Sequence, residues 1–310
     1  LIMKTAVVFP GQGSQYVGMG LDWFQNSDYA NNLYNKADEI LGYKLSDICF
    51  NGPLDTLKET RYTQPALFVH SALLWDCLKD KIEAIAASGH SVGEYAALYA
   101  AGVISFEDGL KLVSLRGQLM FQSGIEKPGT MFAVIGLEDE KVEMICREIT
   151  ESGNGDVVVP ANYNSPGQLV VSGSRDLLRN SADKFKSAGA RMVKELVVSG
   201  AFHSPLLESS SEKLTEAINS TNFVDAQFPV YLNVTAQPET NAQVIKQALI
   251  EQLTSPVKWS QIMVNMNQDG IKSFVEVGAG NVLQGLLKRT LSEIELFGID
   301  TFESYQNFIK

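Results

Sequence analysis

The feature that most restricts the fold of this chain is a sharp turn around Ser91. Residues 89–93 read Gly-His-Ser-Val-Gly, directly after a strand-like apolar run and directly before a helix-like run that begins at Glu94. A G-x-S-x-G turn needs glycines because the chain reverses so sharply that side chains on either side of the serine would collide. The string alone arises by chance in roughly one of six shuffled sequences, so its strand–turn–helix setting is what makes it informative. This setting predicts Ser91 as a nucleophile at the carboxyl end of a strand, with the Val92 N–H as the first oxyanion donor.

Strand-like and helix-like segments alternate through much of the rest of the chain. Apolar runs typical of buried parallel strands occur at 5–9, 82–87, 230–234 and 273–277, and helical patterns follow Gly93 and cover 106–122 and 205–219. This alternation indicates an α/β fold with a mostly parallel sheet covered by helices on both faces.

The middle of the chain has a different order of elements. Its strand-like segments are 130–136, 156–162, 168–173 and 191–197, and its helical segments are 138–151 and 175–188. The order β-α-β-β-α-β is the ferredoxin-like pattern, which closes into its own small sheet with two helices on one face. We therefore predict an inserted subdomain at 127–198, while residues 1–126 and 199–310 together form the larger α/β domain.

A serine hydroxyl needs a neighbouring base, and the chain contains three histidines. His90 adjoins Ser91 within the tight turn, so its ring should point away from the serine's face. His70 lies in an apolar helical stretch, which is typical of a packing histidine. His203 lies in a loop that joins the last subdomain strand to a helix, and open α/β sheets place their chemistry in such loops. By elimination His203 is the predicted base, and the alternative is a structural cap.

The group that would orient His203 is harder to predict. In the usual hydrolase order an acid falls between the serine and the histidine. The aspartates in that interval all belong to the predicted subdomain: Asp139, Asp156, Asp176 and Asp183. None is well placed, so a serine–histidine dyad oriented by a backbone carbonyl stays open.

Charge, hydropathy and cysteine content exclude several classes of function. The net charge is −11 and there is no basic run, so we expect no nucleic-acid partner. No apolar run approaches the roughly 20 residues that a membrane helix needs, so a cytoplasmic protein without a membrane partner is expected. Cys49, Cys77 and Cys146 are too few and too far apart for a zinc site or a disulfide framework, and we predict neither.

The segment 11–14, Gly-Gln-Gly-Ser, could suggest a dinucleotide-binding turn. However, Tyr16 occupies the place of the third glycine and Pro10 interrupts the junction of strand and turn. We therefore expect no dinucleotide, and the sequence predicts no other cofactor.

Six motifs, in order, resemble the malonyl-CoA:acyl-carrier-protein transacylases of bacterial fatty acid synthesis over essentially the whole chain. They are 9–15 (FPGQGSQ), 89–94 (GHSVGE), 116–117 (RG), 161–168 (ANYNSPGQ), 200–204 (GAFHS), and 252–253 (QL) ahead of 256–259 (PVKW). The resemblance implies a hydrolase-like sheet domain with a ferredoxin-like insert, in agreement with the periodicity. It also implies transfer of a malonyl group from malonyl-CoA to the phosphopantetheine thiol of an acyl carrier protein. A monomer is one possibility, and the sequence leaves the oligomeric state open.

The resemblance implies roles for the residues around the nucleophile. Ser91 would carry the malonyl group, and His203 would be its base. The main-chain carbonyl of Gln252 would orient His203, which fits the lack of a convincing acid. The Gln12 and Val92 N–H groups would form the oxyanion hole.

Arg116 and Asn162 are the implied substrate-binding side chains, with Arg116 meeting the malonyl carboxylate. Arginine suits this task because its planar fork gives two parallel hydrogen bonds to one carboxylate and stays charged. Most of its neighbours in the helical pattern are apolar. The alternative is a structural ion pair with Glu94 or Asp108. The sequence departs from the family at Phe121, where a glutamine is often found, so details of the acyl pocket are open.

Other functions would share part of this pattern. An esterase or thioesterase of the α/β-hydrolase type would share Ser91 and His203 but would have no use for a buried cation at Arg116. A standalone acyltransferase of polyketide synthesis would share every motif. A carrier-docking protein without activity would bind the carrier and leave the thioester unchanged.

An acyl carrier protein is small and acidic, so its docking on this acidic chain needs a local basic surface. Our candidates are Lys184, Lys186, Arg191, Lys194, Lys288 and Arg289. The alternative is that these side chains form an ordinary solvated face.

Overall fold

The computed structural model describes residues 3–310, which form two β-sheets and fifteen α-helices. The strands are β1 Met3–Phe9, β2 Ile82–Gly89, β3 Gly129–Ile135, β4 Val158–Ser165, β5 Gln168–Ser174, β6 Met192–Glu195, β7 Val230–Tyr231, β8 Pro238–Glu239, β9 Ser273–Val277 and β10 Glu295–Ile299. The helices are α1 Leu21–Asn26, α2 Asp28–Leu41, α3 Leu45–Asn51, α4 Leu54–Lys58, α5 Thr60–Leu78, α6 Gly93–Ala100, α7 Phe106–Glu126, α8 Asp139–Glu151, α9 Arg175–Ser181, α10 Asp183–Ser187, α11 Glu208–Ser220, α12 Ala242–Gln252, α13 Trp259–Gln268, α14 Val282–Thr290 and α15 Phe302–Phe308.

The larger sheet has the strand order β10-β9-β1-β2-β7-β8, and its paired strands are parallel except for β7 with β8. Residues Ala6, Val7, Val8 and Phe9 of the central strand β1 are fully buried, because both faces of the sheet are covered. The pairing of β1 with β2 runs up to Phe9 opposite Gly89. The loops that follow these two strands therefore lie next to each other at the carboxyl ends of the parallel strands.

The smaller sheet is antiparallel, in the order β4-β5-β3-β6. On one face Phe132 and Val134 pack against α8, α9 and α10, and on the other Met131 belongs to the core of the larger domain. A parallel bridge between Asn162 and Val257 ties the small sheet to the segment before α13. The predicted fold class, a mostly parallel sheet domain with a ferredoxin-like α+β insert, is confirmed.

Two long helices of the larger domain, α5 and α7, pack against each other. They lie beside the carboxyl ends of the sheet's strands, where Ser91 follows β2. The Ser105 hydroxyl accepts a hydrogen bond from the Asp108 N–H at 3.1 Å and so caps the start of α7. Within residues 3–310, no helix combines the length and the apolar character that crossing a membrane would require.

Several elements differ in extent from the sequence prediction. The strand expected at 230–234 is only Val230–Tyr231, since the chain turns back at once to pair with Pro238–Glu239. The helix expected at 175–188 is divided between α9 and α10, and a short 3-10 turn precedes α11. Strand β10 was not predicted, because it lies at the sheet edge and most of its residues are only half-buried.

Candidate active site

Ser91 lies between β2 and α6 with a φ angle of 53°, a left-handed backbone conformation that residues other than glycine seldom adopt. A Cβ at Gly89 would collide with the main chain of Gly93, and a Cβ at Gly93 would collide with the Phe9 carbonyl. The two glycines therefore allow the turn to fold tightly over the end of the sheet. The structure contains the strand–turn–helix unit that the sequence predicts.

His203 is in hydrogen-bond contact with Ser91, with its Nε2 2.7 Å from Ser91 Oγ. Its Nδ1 lies 3.0 Å from the main-chain oxygen of Gln252 and 3.1 Å from that of Ser255. Because a carbonyl only accepts hydrogen bonds, these contacts place the proton of the neutral ring on Nδ1 and leave Nε2 free to accept another. Within residues 3–310 no carboxylate bonds to His203, so the four subdomain aspartates do not complete a triad.

The surroundings of His203 keep its ring neutral. The side chain is buried, and burial is the main reason that its pKa falls from the ordinary 6.5 to about 3. The positive charge of Arg116 lowers this pKa further. At neutral pH the imidazole is therefore unprotonated, the state that a general base requires before it takes a proton.

Arg116 reaches the Ser91 hydroxyl from α7 and is only 1% exposed. Its Nη2 donates to Ser91 Oγ at 3.1 Å and to Gln252 Oε1 at 2.9 Å, and its Nη1 donates to Gln64 Oε1 at 2.8 Å. Among the described residues its Nε has no partner, and no carboxylate forms an ion pair with it. The structural ion pair considered as the alternative is not formed. A buried cation without a carboxylate at salt-bridge distance therefore lies next to the Ser91 hydroxyl. Burial lowers the pKa of Arg116, and the nearby Tyr95 and Glu94 offset this lowering only in part, so an incoming anion would be stabilised here.

Gln252 connects His203, Arg116 and the turn that carries Ser91. Besides its main-chain contact with His203, its side-chain Oε1 accepts from Arg116 and its Nε2 donates to the main-chain oxygen of Ser91 at 2.9 Å. The side chain is buried, so these bonds are shielded from water. The family resemblance implied a role only for the carbonyl of this residue.

These groups open on a cavity of about 100 Å³ between the two sheets. The lining residues are Gln12, His90, Ser91, Val92, Arg116, Met120, Met131, Asn162, Leu196, Val198, Phe202 and His203. All the predicted site residues except Gln252 line the cavity, and Gln252 bonds to three of them. The buried Oδ1 of Asn162 has no hydrogen-bond partner within residues 3–310, so it is available to a bound polar group.

A chain of hydrogen bonds connects Arg116 to Gln12. Arg116 donates to Gln64, the Gln64 Nε2 donates to Thr60 Oγ1 at 2.8 Å, and Thr60 Oγ1 donates to Gln12 Oε1 at 2.8 Å. The side chain of Gln12 is thereby held against α5. Its main-chain N–H belongs to the loop after β1, beside the loop that carries Val92.

Asn233 is a site residue that sequence reasoning missed. Its Oδ1 accepts from the Ser91 N–H at 2.8 Å, its Nδ2 donates to the Gly89 oxygen at 2.7 Å, and its own N–H donates to Glu94 Oε2 at 2.6 Å. Burial raises the pKa of Glu94 to about 7. The sequence signal was weak but present, since Asn233 is a polar residue at the carboxyl end of a predicted strand.

The other two histidines are bound away from Ser91. The His90 Nε2 lies 2.8 Å from Asn164 Oδ1 in the small sheet, and burial lowers its pKa. The His70 Nε2 lies 2.8 Å from Asp300 Oδ1, close to the end of the chain. Neither bonds to the serine hydroxyl, whose partners are His203 and Arg116.

Phe121 follows Arg116 by little more than one helical turn, and its ring packs under the Arg61 guanidinium at 4.5 Å. Arg61 also pairs with Glu59 at 2.6 Å. The departure from the family pattern at Phe121 is thus accommodated by a cation–π contact.

Comparisons with known proteins give a consistent result. A family model described as the acyl transferase domain matches residues 6–304. A malonyl CoA-acyl carrier protein transacylase from Staphylococcus aureus is 42% identical over 305 residues, which cover 98% of each chain. The transacylase of the same description from Haemophilus influenzae is 38% identical, with 97% of each chain covered.

Solved structures are similar over the same length. An acyl carrier protein S-malonyltransferase from Vibrio cholerae superposes with a TM-score of 0.92 at 39% identity, covering 98% of this chain and 99% of the other. A malonyl-transacylase in complex with its type II polyketide synthase acyl-carrier protein has a TM-score of 0.94 at 35% identity, with 99% of each chain covered.

Proposed function

We propose that this chain, which belongs to the acyl transferase domain family, transfers a malonyl group from malonyl-CoA to an acyl carrier protein for fatty acid synthesis. The observation that best supports this substrate is the buried Arg116 guanidinium, 3.1 Å from Ser91 Oγ and without a carboxylate partner within residues 3–310. An acyl group that ends in a carboxylate supplies the missing counter-ion at the place where acylation occurs.

In the first half-reaction, His203 Nε2 takes the proton of Ser91 Oγ while the oxygen attacks the malonyl thioester carbonyl. The carbonyl oxygen becomes an oxyanion that the main-chain N–H groups of Gln12 and Val92 stabilise. The carbon–sulfur bond then breaks, and the coenzyme A thiolate leaves with the proton that His203 holds. The product is a malonyl ester on Ser91.

In the second half-reaction, the phosphopantetheine thiol of the carrier gives its proton to His203 and attacks the ester carbonyl. The second oxyanion collapses with cleavage of the ester bond, and His203 returns its proton to Ser91 Oγ. The carbonyl oxygens of Gln252 and Ser255 keep the ring in one tautomer through both steps, since each can only accept from Nδ1.

Arg116 acts in both halves by holding the distal carboxylate of the malonyl group. Arg116 lines the cavity, its Nε has no partner within residues 3–310, and no carboxylate there is paired with it, so it can bind a carboxylate without breaking a salt bridge. Asn162 also lines the cavity, and its Oδ1, which has no partner within residues 3–310, can accept a hydrogen bond from the pantetheine portion.

We propose that residues 127–198 are the inserted subdomain and that residues 3–126 with 199–310 form the catalytic domain. The separate core of the small sheet supports this division, and Leu1 and Ile2 of the predicted range lie outside the described residues. We also propose a cytoplasmic location, which suits a chain whose Cys49, Cys77 and Cys146 are all unpaired thiols.

A carrier of polyketide synthesis is the second candidate acceptor, because one similar malonyl-transacylase was solved in complex with a type II polyketide synthase carrier. Comparing kcat/KM for holo-carriers of the two pathways distinguishes them. Preference for the fatty acid carrier supports the first assignment, and the reverse preference replaces it.

The central experiment is detection of the acyl-enzyme. Protein saturated with malonyl-CoA and quenched in acid should gain the mass of one malonyl group on the peptide that contains Ser91. Adding holo-carrier should remove that mass and place it on the carrier. Ser91→Ala is the matched control, since the small side chain preserves the turn, and it should gain nothing. Wild-type protein that turns over malonyl-CoA without any ester on Ser91 would refute the mechanism.

A further inference from the structure

Glu94, in the first turn of α6, is a buried acid that takes no part in the proton transfers of the two half-reactions. Its side chain is only 1% exposed. Its Oε2 accepts a hydrogen bond from the Asn233 N–H at 2.6 Å, whereas its Oε1 has only a long contact, 3.4 Å, with Gln252 Nε2. One oxygen of the carboxyl group is therefore well satisfied, and the other faces the side chain that also binds Arg116.

The Gln252 amide lies between the carboxyl group of Glu94 and the guanidinium of Arg116. Its Nε2 faces Glu94 Oε1, and its Oε1 accepts from Arg116 Nη2 at 2.9 Å. Within residues 3–310 Glu94 and Arg116 form no salt bridge. Opposite charges separated by one amide still attract each other in a buried site, where screening by water is weak. Glu94 is thus a counter-ion of Arg116 at longer range.

The carboxyl group of Glu94 is close to half protonated at neutral pH. Burial is the main reason that its pKa rises from 4.5 to about 7. The Asn233 N–H, the charge of Arg116 and the Gln252 amide favour the ionised form and limit this rise. Both the ionised and the neutral form of Glu94 are therefore accessible at little cost.

The other titratable groups around Glu94 keep one charge state near neutral pH. Arg116 on α7 is cationic, and Tyr95 on α6 is neutral because burial raises its pKa to about 12. The pKa of His203 falls to about 3, and burial also lowers that of His90, so both rings are neutral. The elements α5, β1 and β2 also pack against α6, but among the described residues the charge that shifts the pKa of Glu94 is that of Arg116.

An acyl group that ends in a carboxylate brings a second anion to Arg116. Two anions that share one buried cation repel each other, so binding of this group raises the pKa of Glu94. By linkage, the same group binds more tightly when Glu94 is protonated. A carboxyl group is protonated below its pKa, so the malonyl group is held more tightly below about pH 7 and less tightly above it. A neutral acetyl group has no such dependence.

We propose that Glu94 determines specificity as the alternative counter-ion of Arg116: its carboxylate balances Arg116 in the free enzyme and takes up a proton when the malonyl carboxylate occupies Arg116. This inference rests on the proposed function. The proton comes from solvent and returns to solvent when the malonyl group leaves on the carrier. The carboxylate that forms again on Glu94 weakens the attraction of Arg116 for the departing malonyl group, so recognition of the carboxylate does not trap the product.

The first test is the pH dependence of kcat/KM for acylation of Ser91 by malonyl-CoA, divided by that for acetyl-CoA. Both thioesters carry the same coenzyme A phosphates, so titration of the phosphates cancels in the ratio. In the parent the ratio should fall by about tenfold between about pH 6 and pH 9, which corresponds to a rise of about one in the pKa of Glu94 on binding. Glu94→Gln keeps an oxygen for the Asn233 N–H but stays neutral, so its ratio should remain high at every pH.

Glu276→Gln is the matched control, because Glu276 is also buried and burial also raises its pKa to about 7. Its carboxyl group accepts from the Leu283 N–H at the start of α14 and does not contact Arg116. This variant should keep the parental ratio and its pH dependence. If Glu94→Gln lowers kcat/KM equally for both thioesters and keeps the parental pH dependence, Glu94 only supports the turn and the proposal is wrong.

The second test measures proton uptake directly and does not depend on the folding of Glu94→Gln. Ser91→Ala protein, which cannot be acylated, is mixed with malonyl-CoA or acetyl-CoA at about pH 7 in weak buffer with a pH indicator. Malonyl-CoA should take up as much as about half a proton more than acetyl-CoA, the fraction of Glu94 that is ionised beforehand. Equal uptake with both ligands, or a ratio of kcat/KM that does not change with pH, would overturn this inference alone. If malonyl-CoA forms no ester on Ser91 at any pH, the proposed function itself is refuted.

Discussion

The two sheets meet at one cavity but contribute to it differently. The large parallel sheet contributes the loops at the carboxyl ends of its strands, where adjacent loops bring Gln12 and Ser91 together. The small antiparallel sheet presents a face, from which Met131 and Asn162 form a wall. The loops at the carboxyl ends of parallel strands supply backbone N–H groups and side chains at sharp turns. The face of a sheet instead supplies side chains at fixed spacing along its surface. We therefore expect changes in the large domain to act mainly on kcat and changes in the small sheet to act mainly on KM.

The largest effect is expected at His203, which belongs to the large domain. His203→Ala removes the proposed base, the side chain that can accept the Ser91 proton among the described partners of Ser91 Oγ, so kcat should fall by about a thousandfold or more, with the fold intact. The measurement is single-turnover acylation of Ser91 by malonyl-CoA near neutral pH.

His70→Gln is the control for that variant, since it changes another buried histidine that binds Asp300 rather than the serine. Its acylation rate should stay near that of the parent even if its thermal unfolding shifts. Acylation of His203→Ala at the parental rate would assign the base to another residue.

Arg116→Ala tests whether the large domain also determines the choice of acyl group. The value of kcat/KM for malonyl-CoA should fall by about a hundredfold, because the carboxylate then enters the cavity without a counter-ion. The ratio of kcat/KM for acetyl-CoA to kcat/KM for malonyl-CoA should rise, since the unpaired cation that disfavours a neutral acyl group is gone. Measuring kcat/KM for both thioesters in parent and variant gives the change in selectivity.

Arg61→Ala is the matched control, as it removes an arginine stacked on Phe121 in the same helix pair. It should leave the ratio of malonyl to acetyl transfer unchanged. If Arg116→Ala lowered both thioesters by the same factor, Arg116 would be a structural residue and our account of specificity would be wrong.

Asn233→Ala should lower kcat by about ten- to a hundredfold, since a small displacement of the nucleophile is costly. The Asn233 side chain fixes both ends of the turn through the Ser91 N–H and the Gly89 oxygen. Asn265→Ala is the control, because it removes a 2.8 Å bond to Ala236 in the same segment without touching the turn. A change in KM alone would contradict a positioning role for Asn233.

The sequence was informative where chemistry depends on a residue type in a recognisable setting. Ser91 could be predicted because only glycines permit its turn, and Arg116 stood out as a charge among apolar helix neighbours. Asn233 could not be assigned, because its partners lie more than 130 residues away and one asparagine after a strand has no distinctive pattern. The orienting carbonyl of Gln252 is backbone chemistry, which every residue possesses, so only the resemblance indicated it.

The fold, too, could be predicted only where an element has a distinctive local sequence pattern. Buried central strands such as β1 have continuous apolar runs and were predicted, whereas β10 at the edge has a half-exposed face and was missed. The division of the helix at Ala182 depends on how α9 and α10 pack over the small sheet, a tertiary effect that local periodicity does not contain.

The smallest effect is expected at Asn162, the one predicted site residue that belongs to the small sheet. Asn162→Ala should raise KM for malonyl-CoA by less than about tenfold with kcat near the parental value, because a single neutral hydrogen bond is lost. Asn162→Asp has nearly the same shape but adds a negative charge to the lining of the cavity that Arg116 also lines. The aspartate variant should therefore raise KM for malonyl-CoA more than the alanine variant does. Acetyl-CoA lacks the distal carboxylate, so its KM should change by the same factor in both variants. Steady-state KM and kcat for the two thioesters in both variants provide the comparison. A loss of kcat in Asn162→Ala as large as that in Asn233→Ala would mean that the small sheet also positions the reacting atoms. The expectation that the large domain acts mainly on kcat and the small sheet mainly on KM would then be wrong.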